Sequence, residues 1–423
     1  MFAAISEYDE SLSPGDNLAE LTKGLERKKS VRQASFHQGT FGVERIDANT
    51  LSPVAVKANE KENDHVERFK KELDSRVIPE GYEQPLSFDR LGGVRDDSNF
   101  IAVVHIDGNA MGKRVQDCYK NNSKLPWDEF KVRIRSFSES IRDDYEDAFM
   151  KMNVTLIGEI NNNPLIGENL KLEKEMLPVR RIITSGDDIC FVCEGRLGIE
   201  CAATFLKILA GKTNKEDGKA YTACAGVAIV HQKYPFFKAY NLAEELCSQA
   251  KKKNAAMRAG NNGEEVSSID WHLEMGEIRD SLEEIRDNYL AFDKETRLEL
   301  RPYIVAIKDG ELKMDADIHD DEPDYKKFKC LLNWMLTEKD DSVRGKLKGM
   351  RPQLLKGALA SEYYLKFNKL DKTAEKFTDF LGGGGEENPW CSTVTTYDGQ
   401  KRSIYYDAVE ILDTYIPFRA EED

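Results

Sequence analysis

Runs of apolar residues alternate with amphipathic segments in the middle of the chain. The near-continuous apolar run at 100–106 predicts a central strand buried on both faces. Apolar residues then recur every three or four positions, which predicts a helix at 127–150. Two runs rich in β-branched and aromatic residues follow at 181–193 and flank the tetrapeptide Ser185-Gly186-Asp187-Asp188. This arrangement predicts a β-hairpin with a four-residue tip.

The pattern continues through four more elements. Helices are expected at 197–210 and 236–253, and strands at 221–230 and 269–272. Small residues in the strand at 221–230, including Gly226, would let a helix pack closely. The order is strand, helix, hairpin, helix, strand, helix, strand, which is the β-α-β-β-α-β plan with additions. We therefore predict an α/β fold with a ferredoxin-like palm sheet over residues 96–275, in which the first strand lies beside the hairpin.

The regions on either side of this segment give weaker predictions. Residues 1–95 are weakly patterned, and we assign them no role. Residues 276–423 indicate a mainly α-helical C-terminal domain, with helices expected at 276–292, 324–338, 343–368 and 407–415. Asp309-Gly310 and Asp398-Gly399 lie between β-rich runs and predict two hairpins in the same region.

Composition and charge narrow the classes of function. The 423 residues are 40% hydrophobic and 32% charged, which is typical of a globular protein of roughly two or three domains. The net charge of −15 argues against a protein that coats nucleic acid or an anionic membrane. An RNA partner is left open, but the charge does not indicate one. The acidic first ten residues lack an apolar core, and no run approaches membrane-spanning length. We expect a cytoplasmic protein without a membrane partner.

Cysteine spacing does not indicate a zinc site. Cys190 and Cys193 are spaced C-x-x-C, but they lie inside a predicted strand, where neighbouring side chains face opposite ways. No second pair follows at zinc-like spacing. We predict that both are core thiols.

Three aspartates stand where a strand ends or turns. Asp107 follows the first strand, and a carboxylate in that place either caps the next helix or binds a ligand. Asp187 and Asp188 are adjacent, and a hard divalent cation would remove their repulsion, although an ordinary Asp-rich turn is the alternative. Gly186 leaves the backbone bare enough for a ligand to approach. Lys113 would point from the first turn after the strand towards a phosphate bound near Asp107.

The predicted sheet brings these carboxylates together, because its first strand lies beside the hairpin. Three converging carboxylates fit two-metal phosphoryl transfer. In that chemistry one cation lowers the pKa of an attacking hydroxyl, and the other holds the triphosphate and the leaving pyrophosphate.

Five segments resemble, in order, the catalytic palm of the large polymerase/cyclase subunit of type III CRISPR complexes. They are Asp107-Gly108-Asn109-Ala110-Met111-Gly112-Lys113, the tip Ser185-Gly186-Asp187-Asp188, Gly226-Val227-Ala228-Ile229-Val230-His231 with Tyr234-Pro235, Ala243-Glu244-Glu245-Leu246 running to Ala250-Lys251, and Ile269-Asp270-Trp271-His272. The resemblance extends over roughly residues 95 to 415. The same palm is similar, more distantly, to that of GGDEF diguanylate cyclases.

The resemblance implies a nucleotidyltransferase that makes a cyclic oligonucleotide second messenger from ATP, with Mg²⁺ or Mn²⁺, in antiviral defence. It implies that Asp107, Asp187 and Asp188 are catalytic and bind the metal together with the Gly108 carbonyl. A lysine that matches Lys251 contacts the nucleotide phosphates in GGDEF enzymes. The residues implied to contact the nucleotide are Gly108, Asn109, Lys113, Ser185, Gly186 and Lys251.

Three departures from the family pattern leave alternatives open, and the third is that the chain has room for only one recognisable palm. Ser185 stands where the family has the first glycine of Gly-Gly-Asp-Asp, and its side chain could crowd the ribose; Asn109 replaces a common Asp. The alternatives are a catalytically inactive palm that acts as a nucleotide-binding scaffold or sensor, and a diguanylate-type cyclase. A single palm offers one nucleotide site where joining two nucleotides needs two. We therefore expect a homodimer or a second palm-containing subunit, with a cyclic-nucleotide effector downstream.

Overall fold

A computed structural model of the chain describes residues 9, 11–30, 44–46, 53–55, 74–85, 87–91, 99–260, 265–275, 281–290, 296–307, 310–311, 322–337, 341–383, 392–396 and 398–419. The chain forms two compact units. One contains residues 1–80 and 110–139, and the other contains residues 81–109 and 140–423.

The strands are β1 Glu44–Ile46, β2 Pro53–Ala55, β3 Phe100–Gly108, β4 Val179–Ser185, β5 Asp188–Glu194, β6 Ala223–His231, β7 Val266–Leu273, β8 Thr296–Arg297, β9 Tyr303–Ile307, β10 Gly310–Glu311, β11 Thr393–Thr395 and β12 Lys401–Ser403. The α-helices are α1 Pro14–Ser30, α2 Met111–Asn122, α3 Trp127–Asn162, α4 Pro164–Asn169, α5 Gly198–Ala210, α6 Phe236–Gly260, α7 Leu282–Tyr289, α8 Tyr325–Thr337, α9 Asp341–Leu354, α10 Ala358–Phe367, α11 Asp371–Leu381 and α12 Tyr406–Ile411. Short 3₁₀ helices lie at Phe88–Arg90 and Gly195–Leu197.

The second unit is built around a seven-stranded sheet with the order β10-β9-β7-β6-β3-β5-β4. β3 lies between β5 and β6 and is antiparallel to both, and β4 is antiparallel to β5. The order β6-β3-β5-β4 is that of the ferredoxin-like β-α-β-β-α-β plan. The predicted α/β palm fold, with the first strand beside the hairpin, is therefore confirmed.

Close packing of α6 on β6 depends on Gly226. A Cβ atom at this position would lie 2.8 Å from the Cβ of Leu246, and closer still to the carbonyl oxygen of Ala243 and the amide nitrogen of Cys247. Any side chain here would hold the helix away from the sheet. The prediction that small residues in this strand admit a close helix is confirmed at this position.

Three predicted helix boundaries are wrong. α3 continues past the predicted end at residue 150 to Asn162 and is followed directly by α4. The Asn163 side chain caps the first turn of α4 by accepting from the Leu165 amide at 3.1 Å. α6 runs on to Gly260, so the basic residues 251–253 lie within the helix rather than at its end. The helix expected at 343–368 is divided into α9 and α10 at Gly357, whose φ of 103° is not helical.

The sheet continues beyond residue 275 through β9 and β10. β9 pairs with β7, and β10 pairs with β9 through Ile307 and Gly310, as the first hairpin signal predicts. β11 pairs with β12 across the second signal, Asp398-Gly399. The rest of this region is mainly helical, as expected, although α11 was not predicted.

A buried ionic cluster connects the sheet to α12. The Arg301 guanidinium is fully buried, donates to Glu410 and lies 3.1 Å from Oδ1 of Asp407. It also lies 5.3 Å from the centre of the Trp271 ring on β7. Burial raises the pKa of Asp407 to about 6, while the charge of Arg301 opposes the rise. Paired charges therefore link α12 to β7, because Arg301 also lies 3.7 Å from Oδ1 of Asp270.

The first unit contains α1, α2 and the beginning of α3. Trp127 stacks on Phe130 with ring centres 5.9 Å apart, and the Lys131 ammonium lies 5.7 Å from the Trp127 ring. In the part of the chain that the structure describes, no helix combines the length and apolar composition needed to cross a membrane.

Candidate active site

Three aspartates from two chain segments meet at one end of the β3–β5 pair. Asp107 and Asp188 are direct partners in the antiparallel register of β3 and β5. Asp187 lies next to them in the loop of the hairpin, and its carbonyl oxygen accepts from the Gly108 amide at 3.3 Å. The topology therefore produces the convergence that the sequence predicts.

The hairpin loop is shorter than expected. Ser185 pairs with Asp188, so the tip consists of the two residues Gly186 and Asp187 rather than four. Gly186 has a φ of 66°, which glycine adopts readily at the first position of a two-residue loop. No atom lies within 4 Å of the place where a Cβ of Gly186 would be. The backbone at this tip is open to an approaching ligand, and the Ser185 side chain beside it is exposed.

Lys251 reaches the carboxylates from α6. Its ammonium lies 2.6 Å from Oδ2 of Asp107 and donates to the Gly108 carbonyl at 3.3 Å. Both side chains of the ion pair are about one-third exposed, so an incoming anion has access to the ammonium. Lys251, which was predicted to contact phosphate, therefore lies beside the carboxylates and neutralises part of their charge.

His105 is a member of the site that the sequence analysis did not identify. It lies two residues before Asp107 and therefore on the same face of β3. Its Nδ1 is 3.6 Å from Oδ1 of Asp188, and its ring packs edge-on against Tyr240 of α6, with centres 5.6 Å apart. Within the described part of the chain, neither Nδ1 nor Oδ1 has a hydrogen-bond partner. The sequence offers one signal for this role of His105, namely a single histidine within the otherwise apolar run at 100–106.

The carboxylates carry more negative charge than the neighbouring cations balance. Burial raises the pKa of Asp187, and the charges of Asp107 and Asp188 raise it further, against the lowering effects of its own backbone amide and of Lys251. Burial also raises the pKa of Asp188; His105 and Lys251 oppose this rise, whereas Asp107 and Glu244 add to it. Such a cluster attracts a cation.

Asn109 is held by protein groups. Its side-chain amide donates to Oγ1 of Thr222 and to the carbonyl oxygen of Val266, both at 3.1 Å. Its Oδ1 accepts from the Cys224 thiol at 3.2 Å. The side chain therefore links the end of β3 to the starts of β6 and β7. Its contact with a nucleotide stays a prediction.

Lys113 lies in the first turn of α2, as expected. It belongs to the compact unit that contains residues 1–80 and 110–139, whereas the three aspartates belong to the second unit. Its contact with a phosphate near Asp107 also stays a prediction.

The donor atoms at the site are carboxylate oxygens and the Gly108 carbonyl oxygen, which are the ligands that a hard divalent cation prefers. In the described part of the chain, Oδ1 of Asp188 is buried without a hydrogen-bond partner. Among the described residues, however, no three His, Cys, Asp or Glu side chains form a group that could hold a metal ion. Because Lys251 occupies one oxygen of Asp107, a cation would have to compete with this ammonium.

A comparison with protein families finds a match in the central part of the chain. Residues 100–258 match the family model for the second palm domain of Cas10/Cmr2. The matched segment runs from β3 into α6 and contains the three aspartates and Lys251. The predicted resemblance to the palm of the type III CRISPR large subunit is confirmed over these residues. Its extension to about residue 415 and the more distant likeness to GGDEF cyclases stay predictions. No curated protein matches the chain significantly.

Proposed function

We propose that the chain is a metal-dependent nucleotidyltransferase that makes a cyclic oligonucleotide second messenger from ATP in antiviral defence signalling. The observation that carries this proposal is the register pairing of Asp107 with Asp188 beside Asp187, within a palm of the Cas10/Cmr2 type. Carboxylates that meet at a strand end supply the oxygen ligands that would take up divalent cations for phosphoryl transfer.

Each group at the site has a part in this chemistry. Asp107, Asp187, Asp188 and the Gly108 carbonyl would hold Mg²⁺ or Mn²⁺, which when bound supplies positive charge at the reacting phosphate and lowers the pKa of the attacking hydroxyl. Lys251 would exchange its contact with Asp107 for a phosphate oxygen of ATP, because an ammonium binds phosphate well. The open backbone at Gly186 would admit the nucleotide.

The reaction joins two nucleotides. A ribose hydroxyl of one attacks the α-phosphate of the other, a new phosphodiester bond forms, and pyrophosphate leaves. One palm with one carboxylate cluster holds one of these nucleotides. The second would come from a second copy of the chain or from another palm-containing subunit, and the product would act on a cyclic-nucleotide effector.

A nucleotide-binding scaffold or sensor is the second candidate. The ion pair between Lys251 and Asp107 favours it, because this pair occupies an oxygen that a catalytic cation needs. The exposed Ser185 beside the tip favours it as well, since a side chain there could crowd a ribose.

The decisive experiment incubates the full chain with ATP or GTP and Mg²⁺ or Mn²⁺ and identifies the products by mass spectrometry. The proposal expects a cyclic product from ATP, and none from the variant that combines Asp187→Ala with Asp188→Ala. A product from GTP alone would indicate a diguanylate-type cyclase. Nucleotide binding without product by the parent and by Ser185→Gly would support the scaffold and refute the enzyme.

A further inference from the structure

Helix α10 presents a row of large apolar side chains to solvent. Leu359 is 82% exposed, Tyr363 is 71% exposed and Phe367 is 73% exposed. Leu355, just before the helix, is 48% exposed. The three helical residues follow one another at intervals of four, so they lie on one face. We refer to these four residues as the α10 stripe.

The opposite face of α10 is packed against its own unit. Ser361 and Leu365 are buried, and the Tyr364 hydroxyl donates to the carbonyl oxygen of Lys346 at 2.8 Å. A helix that carries apolar side chains on two opposite faces is typically covered by other groups on both faces. The α10 stripe therefore has the character of a surface that another molecule covers.

The α10 stripe has the size of an interface core. The Tyr363 and Phe367 rings are stacked at 6.0 Å with an angle of 16° between their planes, which makes a flat surface. With aromatic side chains contributing about 150–250 Å² each when fully exposed, the four residues present roughly 500 Å² of mostly apolar surface. Such a patch is at the upper end of what monomers expose, and two of them face to face would bury about 1,000 Å², the lower limit for a specific interface.

The charges beside the α10 stripe favour a second copy in antiparallel orientation. Glu362 and Lys366 form an ion pair along one flank of the helix. A two-fold axis near Tyr363 brings Glu362 of one copy beside Lys366 of the other, because the helices then run in opposite directions. In a parallel arrangement the corresponding flanks would lie on opposite sides of the contact, so this pair would make no contact between the copies.

We propose that the α10 stripe is the interface between two copies of this chain, which pack as antiparallel helices about a two-fold axis near Tyr363. The choice of a second copy rests in part on the proposed nucleotidyl transfer, which needs a second palm. The α10 stripe and the carboxylate cluster belong to the same compact unit. Dimerisation through this surface therefore brings a second carboxylate cluster into the assembly.

Sedimentation velocity of the full chain without nucleotide, across a concentration series, tests this interface. We expect a dimer whose dissociation constant rises about 30-fold or more in Leu359→Lys and in Tyr363→Lys, since each buries a charge at the centre of the contact. Both positions are exposed in the single chain, so neither substitution should unfold it. Val154→Lys, at a 53% exposed apolar position outside the stripe, is the matched control and should dimerise like the parent.

A charge exchange tests the orientation. Glu362→Lys and Lys366→Glu should each weaken the dimer, and the variant that combines them should recover it. A monomeric parent, or stripe variants that dimerise as tightly as the parent, would overturn the proposal, and the stripe would then belong to another partner. Product formation is measured separately: a dimer without product contradicts the proposed enzyme and leaves the interface intact.

Discussion

Gly226 should be one of the positions in the palm least tolerant of a single added methyl group. In Gly226→Ala the new Cβ would lie 2.8 Å from the Cβ of Leu246, whereas ordinary contacts to a Cβ are 3.4–4 Å. The backbone of α6 at Ala243 and Cys247 lies closer still and cannot rotate away as a side chain would. Helix α6 must therefore move away from β6, and Lys251 moves with it.

Two effects of this substitution oppose each other. Replacing glycine with alanine in a strand stabilises a protein by about 0.5–1 kcal/mol through the entropy of the unfolded chain. Overpacking of a rigid contact costs about 1–3 kcal/mol, and more where backbone must move. Because the neighbours here are backbone atoms of a helix, we expect the second effect to prevail and the free energy of unfolding to fall by about 1–2 kcal/mol.

Urea unfolding monitored by circular dichroism measures this change. Gly158→Ala is the matched control, because Gly158 lies inside α3 with nothing within 4 Å of its added Cβ. That variant should gain about 1 kcal/mol, since alanine is the better helix former. A Gly226→Ala protein as stable as the parent would refute the argument that this glycine sets the distance between helix and sheet.

Three other substitutions test the buried charges and the site. Arg301→Met removes the cation from the buried Glu410 and Asp407 and should lower the free energy of unfolding by about 3–5 kcal/mol; unchanged urea unfolding would contradict this. Burial raises the pKa of Glu194 from its ordinary value of 4.5 to about 7 in the folded protein. The protonated carboxyl therefore makes its full contribution to the free energy of unfolding below pH 4.5, and this contribution is lost as the pH rises through about 7. Glu194→Gln should therefore raise the melting temperature at about pH 8 and leave it unchanged at about pH 4, whereas equal shifts at both would exclude this carboxyl as the cause. Lys251→Met should weaken ATP binding by about tenfold, measured by fluorescence titration, with little change in melting temperature because its ion pair is partly exposed; unchanged affinity would argue against a phosphate contact.

The palm was predictable because its signals are local and its topology is restricted. The apolar run of β3, the glycine in the hairpin loop and the helical spacing of α5 and α6 each depend on a few neighbouring residues. Once the order of elements indicates a ferredoxin-like sheet, few arrangements remain, and Asp107 must lie near Asp188. The convergence of the carboxylates therefore follows from the sequence.

The remaining features depend on contacts between distant segments. Nothing near His105 in the sequence shows that its ring will face Asp188, and nothing near Asn109 shows that its amide will join the starts of β6 and β7. The extension of the sheet through β9 required pairing with β7, which periodicity does not report. The division of the helix at Gly357 had a local signal, but surrounding helix formers concealed it.

Pyrophosphate release from ATP is the measurement that tests the central proposal most directly, because every nucleotidyl transfer of this kind must produce it. The full chain with Mg²⁺ or Mn²⁺ is compared with Asp188→Asn, which keeps the shape of the side chain and removes its charge. We expect release by the parent and none by a variant with the same circular dichroism and urea midpoint. Equal release by both proteins, or none by the parent with either metal, would contradict the assignment of Asp107, Asp187 and Asp188 as a catalytic cluster.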